Sequence, residues 1–160
     1  MKRVTLRAKD AKRLLRGFLE EYPWISRIDT HSKVEVVQLN TLRLFYVNGF
    51  PLILETQRRD IPTLISKDVL KGIPMVIVDM GAVPFICRGA DIMAPGVKSV
   101  GDSFTKGTIV QVVDERYRKV LSIGIALTSS SDFLEMKQGR VIENLHYVGD
   151  TAWKLLLKSA

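Results

Sequence analysis

Three glycines and two cations in the second half of the sequence have the types and spacing of a phosphate-binding surface. Gly81, Gly89 and Gly96 lack a side chain, so a phosphate or a ribose can approach their backbone amides closely. Arg88 and Lys98 flank these glycines and can supply positive charge to the same ligand. The alternative is that the glycines only permit tight turns. The pattern therefore makes these segments a candidate surface for nucleic acid.

A second candidate group lies near the end of the chain, at residues 143–147. It contains Asn144, His146 and Tyr147, and an imidazole or a phenol can stack on an unpaired base or hydrogen-bond to it. If Leu145 points inward, strand alternation turns Asn144 and His146 outward. The alternatives for His146 are packing and simple exposure.

Positive charge is concentrated at the start of the sequence. Between residues 9 and 22, apolar residues recur every three or four positions, and Pro23 disfavours further helix. This spacing predicts a helix at 9–22 with one packed side. Four cations fall on its other side, where they can attract RNA: Lys9, Lys12, Arg13 and Arg16. The formal charge of +7 is typical of nucleic-acid-binding proteins, although ordinary solvated surfaces can also be basic.

Two smaller basic groups follow along the chain. Arg58 and Arg59 form one group, and the other consists of Arg116, Arg118 and Lys119 in a predicted turn between two strands. Charged loop tips commonly serve solubility alone. If these groups share a face with the first helix, they would follow a phosphate backbone, and binding would weaken steeply as salt rises.

The sequence does not support chemistry that needs a metal, a cofactor or a nucleophile. The single cysteine, Cys87, lies in an apolar run and is expected to pack as a small hydrophobe. With only His31 and His146 as imidazoles, no zinc-site spacing is present. No Ser-His-acid arrangement or paired-carboxylate helix is visible, and four aspartates are scattered: Asp79, Asp91, Asp102 and Asp114. We therefore expect no metal, no cofactor and no catalytic residue.

Membrane insertion and export are not expected either. The apolar runs are shorter than the roughly 18 residues that a membrane span needs. The basic N-terminus lacks the continuous apolar stretch of a secretory signal. We therefore expect a soluble protein of the cytoplasm.

The first 72 residues combine the basic helix with a predicted antiparallel sheet. Asn48 and Gly49 are typical of a type I′ hairpin turn, because both central positions of that turn need positive φ. Three strands are predicted around it, at 34–38, 42–47 and 50–55. A short helical turn with proline near its start is predicted at 60–64, and a helical segment closed by glycine at 66–72.

After residues 72–74 the pattern changes to short apolar strands separated by glycine turns, which is typical of a small barrel. Strands are predicted at 75–79, 91–93, 108–114, 120–128 and 141–147. Helices are predicted at 131–137 and 151–158. In the first of these helices, Ser130 or Ser131 is expected to cap the opening amides.

The motifs of this second half occur in a recognisable order. Residues 78–82 (VDMGA), 89–97 (GADIMAPGV) and 143–150 (ENLHYVGD) with Trp153 resemble a PUA domain over 73 to 154. The resemblance implies that loop 89–98 and segment 143–147 grip an RNA end. The implied RNA-binding residues are Gly81, Arg88, Gly89, Ala90, Pro95, Gly96, Lys98, Asn144, His146 and Tyr147.

The whole chain is similar to the malignant T-cell-amplified sequence family and its archaeal relatives. This implies an α+β protein with an N-terminal α/β pre-PUA domain at 1–72, containing a small antiparallel sheet, and a PUA β-pseudo-barrel at 73–160. The implied function is RNA binding in translation initiation or recycling, at a tRNA acceptor end or on the small ribosomal subunit. A partner resembling density-regulated protein is also implied. The alternatives are a non-catalytic RNA-delivery subunit of an RNA-modifying enzyme and a protein-interaction adaptor.

Overall fold

The chain forms two compact units in a computed structural model that describes residues 1–159. The first unit comprises residues 1–72 together with Lys158 and Ser159, and the second comprises Ile73–Leu157. Within the described residues, no helix is both long enough and apolar enough to cross a bilayer.

The predicted basic helix is present as α1 (Ala8–Glu21). Its apolar stripe buries Ala11, Leu15 and Phe18, which is what drives an amphipathic helix to form against a core. The helix ends at Tyr22, whose N–H donates to the Phe18 carbonyl before Pro23. The four predicted cations, Lys9, Lys12, Arg13 and Arg16, all remain exposed.

An antiparallel five-stranded sheet in the order β1-β2-β3-β4-β5 completes the first unit. The strands are β1 (Val4–Thr5), β2 (Val34–Leu39), β3 (Leu42–Val47), β4 (Phe50–Glu55) and β5 (Asp60–Pro62). Asn48 and Gly49 have φ of 50° and 85°, as the predicted hairpin turn requires. A short helix α2 (Lys67–Leu70) follows the sheet.

The predicted helical turn at 60–64 is wrong, because this segment supplies strand β5. Ile61 pairs with Leu54, and Pro62 pairs with Ile53. Proline is tolerated because β5 is an edge strand and its outer side needs no N–H donor. The sequence reasoning also missed β1, which is only two residues long.

The second unit is a curled half-barrel built on a six-stranded sheet in the order β7-β11-β10-β9-β6-β8. Strands β6 and β9 run parallel, and the other pairs are antiparallel. The strands are β6 (Met75–Val78), β7 (Ile92–Met93), β8 (Val97–Val100), β9 (Ile109–Asp114), β10 (Val120–Ala126) and β11 (Arg140–Tyr147). Three helices accompany them: α3 (Val83–Ile86), α4 (Ser130–Glu135) and α5 (Thr151–Ser159). The predicted α+β class and pseudo-barrel are confirmed, although β8 was not predicted.

Branched aliphatic side chains from the strands and from α3 form the core of this half-barrel. Val76, Val110 and Ile142 lie at its centre, and Cys87 packs half-buried against it. Burial raises the pKa of the Cys87 thiol, as expected for a cysteine that packs rather than reacts.

The predicted cap of α4 is shifted by one residue. Ser129 has an extended backbone and its hydroxyl accepts the Asp132 N–H at 3.4 Å, so Ser129 caps the helix instead of Ser130 or Ser131. The buried Ser130 hydroxyl accepts the Phe104 N–H at 3.0 Å and contacts the Phe104 carbonyl at 3.2 Å. Ser130 is therefore occupied in joining α4 to the preceding loop.

Gly124 provides a test of how closely β10 and β11 approach each other. A Cβ added at this position would lie 2.4 Å from the Glu143 carbonyl oxygen. We expect Gly124→Ala to lower the free energy of unfolding by about 1–3 kcal/mol through overpacking. A Cβ added at Gly17 in α1 meets no atom within 4 Å. Gly17→Ala should therefore raise the free energy of unfolding by about 0.5–1 kcal/mol. Chemical denaturation measures both changes, and a neutral Gly124→Ala would contradict the close approach.

Candidate nucleic-acid interface

The first glycine segment is tied to the second by Asp79. The Asp79 N–H donates to the Gly96 carbonyl at 2.9 Å. Its carboxylate Oδ1 accepts the Ala82 N–H at 2.9 Å and so caps the short 3-10 turn at Met80–Ala82. Segments 79–82 and 94–96, which are separate in sequence, are therefore held side by side.

The segment after α3 turns sharply at Gly89. Its φ is +98°, in the left-handed region, and an added Cβ would lie 2.9 Å from the Tyr147 hydroxyl oxygen. Glycine satisfies both constraints at once. The requirement for glycine at position 89 thus has two structural causes, which are the positive φ and the close approach of Tyr147.

Between these segments lies a pocket of about 370 Å³. Its walls contain four residues of the predicted RNA-binding set, Gly81, Ala90, Pro95 and Gly96. The remaining lining residues are Asp79, Ala82, Phe85, Ile86, Asp91, Ile92 and Met93. We call this cavity the glycine-loop pocket.

Two apolar side chains of this pocket are exposed to solvent. Phe85 is 61% exposed and Met93 is 46% exposed, although both belong to a unit with a well-formed core. The sequence reasoning missed them because it assigned the apolar run around Phe85 to packing. The available signal was Pro84, which lies in the first turn of a helix so short that its residues cannot all face the core.

Asn144 hydrogen-bonds to residues that line the glycine-loop pocket. Its side-chain amide donates to the Ile86 carbonyl at 3.1 Å and to the Ala90 carbonyl at 2.9 Å. Its backbone N–H donates to Asp91 Oδ1 at 2.9 Å. Both donor hydrogens of the amide are used in this way, so Asn144 positions residues of the pocket wall.

His146 is buried, which was the packing alternative to the outward position that strand alternation suggested. Its side chain is 0% exposed, and Nδ1 lies 2.8 Å from Asp150 Oδ2. The cause is a bulge in β11: Ile123 pairs with His146 and Gly124 pairs with Asn144, so Leu145 is an extra residue. Asn144 and His146 therefore point to opposite faces of the sheet.

Asp150 organises the turn that follows β11. Its carboxylate also accepts the Tyr147 N–H at 3.0 Å and the Trp153 N–H at 2.7 Å. Burial acts to raise the pKa of Asp150, but the hydrogen bonds and the attraction to His146 outweigh it and hold the pKa below its usual range.

The predicted cations Arg88 and Lys98 are both exposed and lie outside the pocket walls. Arg88 directly follows α3 and Cys87, and Lys98 lies on β8 two residues after Gly96. Each is therefore close in sequence to a pocket wall. The walls themselves carry the carboxylates of Asp79 and Asp91, and Asp91 also pairs with Arg140 at 2.7 Å.

The basic side of α1 belongs to the first unit and is partly balanced there by acids. Arg13 lines a cleft of about 660 Å³ that also contains Asp10, Glu21 and Asp60. Burial, followed by the nearby charge of Glu55, raises the pKa of Asp60. Lys9, Lys12 and Arg16 lie outside this cleft.

Comparison with known proteins agrees with this architecture. Residues 74–148 match the PUA domain, and residues 2–67 match a domain of unknown function, DUF1947. An uncharacterized protein of Methanocaldococcus jannaschii is 36% identical over 158 residues, covering 95% of each chain. Translation machinery-associated protein 20 of Saccharomyces cerevisiae is 30% identical, covering 84% of this chain and 82% of its own. The chain belongs to this family of PUA-domain proteins.

Other members of the PUA-domain family match over most of their length. Malignant T-cell-amplified sequence 1 of Rattus norvegicus is 28% identical, covering 95% of this chain and 90% of its own. The crystal structure of a PUA domain from Aeropyrum pernix K1, in a tartrate complex, has a TM-score of 0.79 at 28% identity. That match covers 98% of this chain and 91% of the other. The family resemblance inferred from the sequence motifs is confirmed.

Removing Asp150 tests the buried arrangement behind the interface. We expect Asp150→Ala to lower the free energy of unfolding by about 1–3 kcal/mol at neutral pH, because two backbone N–H groups and His146 lose this acceptor. Chemical denaturation of both proteins measures the difference. Asp102→Ala, which removes an exposed carboxylate, is the matched control.

The same variant should change the response to acid. The pKa of Asp150 is lower in the folded chain than its ordinary value of about 3.9, so the unfolded chain binds the proton first as pH falls. The stabilisation is therefore present above that value and is lost as pH falls through it toward the folded pKa. Wild type and Asp102→Ala should lose more stability than Asp150→Ala between about pH 6 and about pH 3. Equal losses in all three proteins would contradict this role.

Proposed function

We propose that this chain is an RNA-binding protein of translation that holds an unpaired nucleotide of an RNA end in the glycine-loop pocket. The observation that carries the proposal is an exposed aromatic side chain, Phe85, on the wall of a pocket with few polar groups. RNA-binding proteins read unstacked bases through such surfaces. A tRNA acceptor end is the ligand that fits best, with small-subunit ribosomal RNA as the second candidate.

The walls favour a base over a phosphate inside the pocket. Phe85 and Met93 offer apolar contact to a ring, and stacking of a base on an aromatic side chain contributes about 1–3 kcal/mol. Asp79 would repel a phosphate, whereas the charge of Asp91 is already paired with Arg140. Carboxylate oxygens can accept hydrogen bonds from the exocyclic amino groups of adenine, cytosine or guanine. The pocket chemistry thus supports a base with an amino group as the occupant.

Phosphates are expected outside the pocket. Arg88 and Lys98 are exposed on the segments that continue from its walls, where they can contact the backbone of the bound strand. Gly89 and Tyr147 serve this arrangement by shaping the turn before Ala90. The basic helix, with Lys9, Lys12, Arg13 and Arg16, contributes long-range attraction for RNA.

The relatives support the biological setting. One relative is named for its association with the translation machinery. By analogy, residues 73–160 would serve as the RNA-binding PUA domain and residues 1–72 as the pre-PUA domain. The chain would act by non-catalytic positioning of RNA in the cytoplasm, during initiation or recycling, beside a partner resembling density-regulated protein.

Phe85→Ala is the direct test. We expect it to weaken binding to total tRNA about 5- to 100-fold, because a base loses its stacking surface. Fluorescence anisotropy with intact tRNA and with tRNA trimmed of its unpaired 3′ nucleotides measures the effect. The control is Leu134→Ala, which removes an equally exposed apolar side chain outside the pocket. A folded Phe85→Ala protein with wild-type affinity would reject the pocket as the site and favour the protein-adaptor alternative.

Arg88→Ala combined with Lys98→Ala tests the phosphate contacts separately. Both side chains are exposed, so the thermal midpoint should stay nearly constant. We expect the slope of log affinity against log salt concentration to become shallower by about 1.4, since each of the two lost contacts to a single strand removes about 0.7. A salt titration of tRNA binding measures the slope. An unchanged slope would place the phosphates elsewhere.

A further inference from the structure

The turn between β9 and β10 projects a compact group of cations and one aromatic ring. Residues 115–119, here called the hairpin tip, are all exposed. The tip contains Arg116, Arg118 and Lys119 together with a single acid, Glu115. Tyr117 is 64% exposed, and the Arg116 guanidinium lies 5.9 Å from the centre of its ring.

A buried carboxylate holds this tip in one conformation. Asp114 is 3% exposed, and its oxygens accept the Arg116 N–H at 2.9 Å and the Lys119 N–H at 3.0 Å. The Tyr117 N–H donates to the same carboxylate. Burial acts to raise the pKa of Asp114, but hydrogen bonds from backbone N–H groups of the tip hold the pKa below its usual range.

The hairpin tip begins beside the glycine-loop pocket. Strands β6 and β9 run parallel, with Val78 opposite Asp114. The Glu115 N–H donates to the Val78 carbonyl at 2.9 Å. Asp79, the next residue after Val78, is a wall of the pocket. One hydrogen bond therefore joins the base of the tip to the edge of the pocket.

The tip has the composition of a surface for single-stranded or stem RNA. Arginine and lysine contact phosphates, and an exposed tyrosine can stack on a base that is not paired. Within residues 1–159, the structure records no ion pair for Arg116, Arg118 or Lys119, so their charge is not consumed by carboxylates of the chain. A rigid tip also loses little conformational entropy when it binds.

We propose that the hairpin tip is a second RNA contact, which holds backbone phosphates of the nucleotides that adjoin the one in the glycine-loop pocket. This inference rests on the proposed function, because the pocket defines where the RNA strand ends. It assigns the pocket to the terminal nucleotide and the hairpin tip to the strand or stem that leads to it. The affinity for short RNA ligands should therefore be independent of the tip, and the affinity for longer RNA ligands should depend on it.

The test compares two RNA probes and one triple variant. The probes are a hairpin RNA with four unpaired 3′ nucleotides and the same four nucleotides alone. Arg116→Ala, Arg118→Ala and Lys119→Ala together should weaken hairpin binding at least about 10-fold at low salt and reduce the salt slope by about 2. Affinity for the four-nucleotide probe should remain within about twofold. Lys106→Ala, which removes an exposed cation at the other end of β9, should bind both probes as wild type does.

The outcomes separate this inference from the proposed function. If the triple variant binds both probes as wild type does, while Phe85→Ala loses both, the tip is not a contact and the pocket assignment stands. If the triple variant loses both probes equally, the extension along the strand is wrong. If Phe85→Ala retains both probes, the proposed function itself fails.

A second variant tests whether the tip must be rigid. Asp114→Asn keeps every cation of the tip but replaces one acceptor oxygen with an NH₂ group, which cannot accept the backbone N–H groups. We expect it to weaken hairpin binding by about 3- to 10-fold and to leave the four-nucleotide probe unaffected. Thermal unfolding identifies the temperature range in which the variant is folded. Wild-type hairpin affinity in that range would show that the tip needs no preorganisation.

Discussion

The side-chain amide of Asn144 holds the glycine-loop pocket in shape. The segment at 86–91 leaves α3 and turns at Gly89. Within it the Gly89 N–H donates to the Ile86 carbonyl at 3.0 Å, and further partners come from outside the segment. Asn144 supplies two donors to Ile86 and Ala90 and a third, from its backbone, to Asp91. Because the core of the half-barrel fixes β11, these three hydrogen bonds transmit that rigidity to the pocket walls.

Under the proposed function, the charges around the pocket would separate the base of an RNA ligand from its phosphate. Asp79 and Asp91 line the cavity, and Arg88 and Lys98 lie on segments outside it, so a bound base and its phosphate would occupy different places. Each group alone would be unspecific, since an apolar pocket accepts many rings and a cation accepts any phosphate. The Asp79 N–H donates to the Gly96 carbonyl and so joins the two glycine segments. Under the proposed function, the joined segments would recognise the end of a strand by its shape and by the amino group of its base.

Much of the fold could be predicted from the sequence because its signals are local. The apolar stripe before Pro23 and the Asn48–Gly49 turn each determine their own structure. Errors arose where a distant partner decides. Asp60–Pro62 becomes a strand because β4 is available beside it, and His146 turns inward because Leu145 bulges where β11 meets Gly124. The alternation rule cannot predict a bulge, because a bulge depends on the pairing with the neighbouring strand.

The two glycine segments singled out in the sequence line one pocket, whereas the RNA-binding roles of their residues stay predictions. Gly81 and Gly96 line the pocket as their lack of side chain suggested, whereas Asn144, chosen for base contact, acts through Ile86 and Ala90. The role of Asn144 depends on which of its hydrogen-bond donors remain unused after folding. To know this, one needs the backbone path of a segment 58 residues away. Phe85 illustrates the converse. A hydrophobic residue in an apolar run is assigned to the core by default, yet a four-residue helix has too few turns to hide every side chain. The side chain left outside is the one with the chemistry to stack on a base.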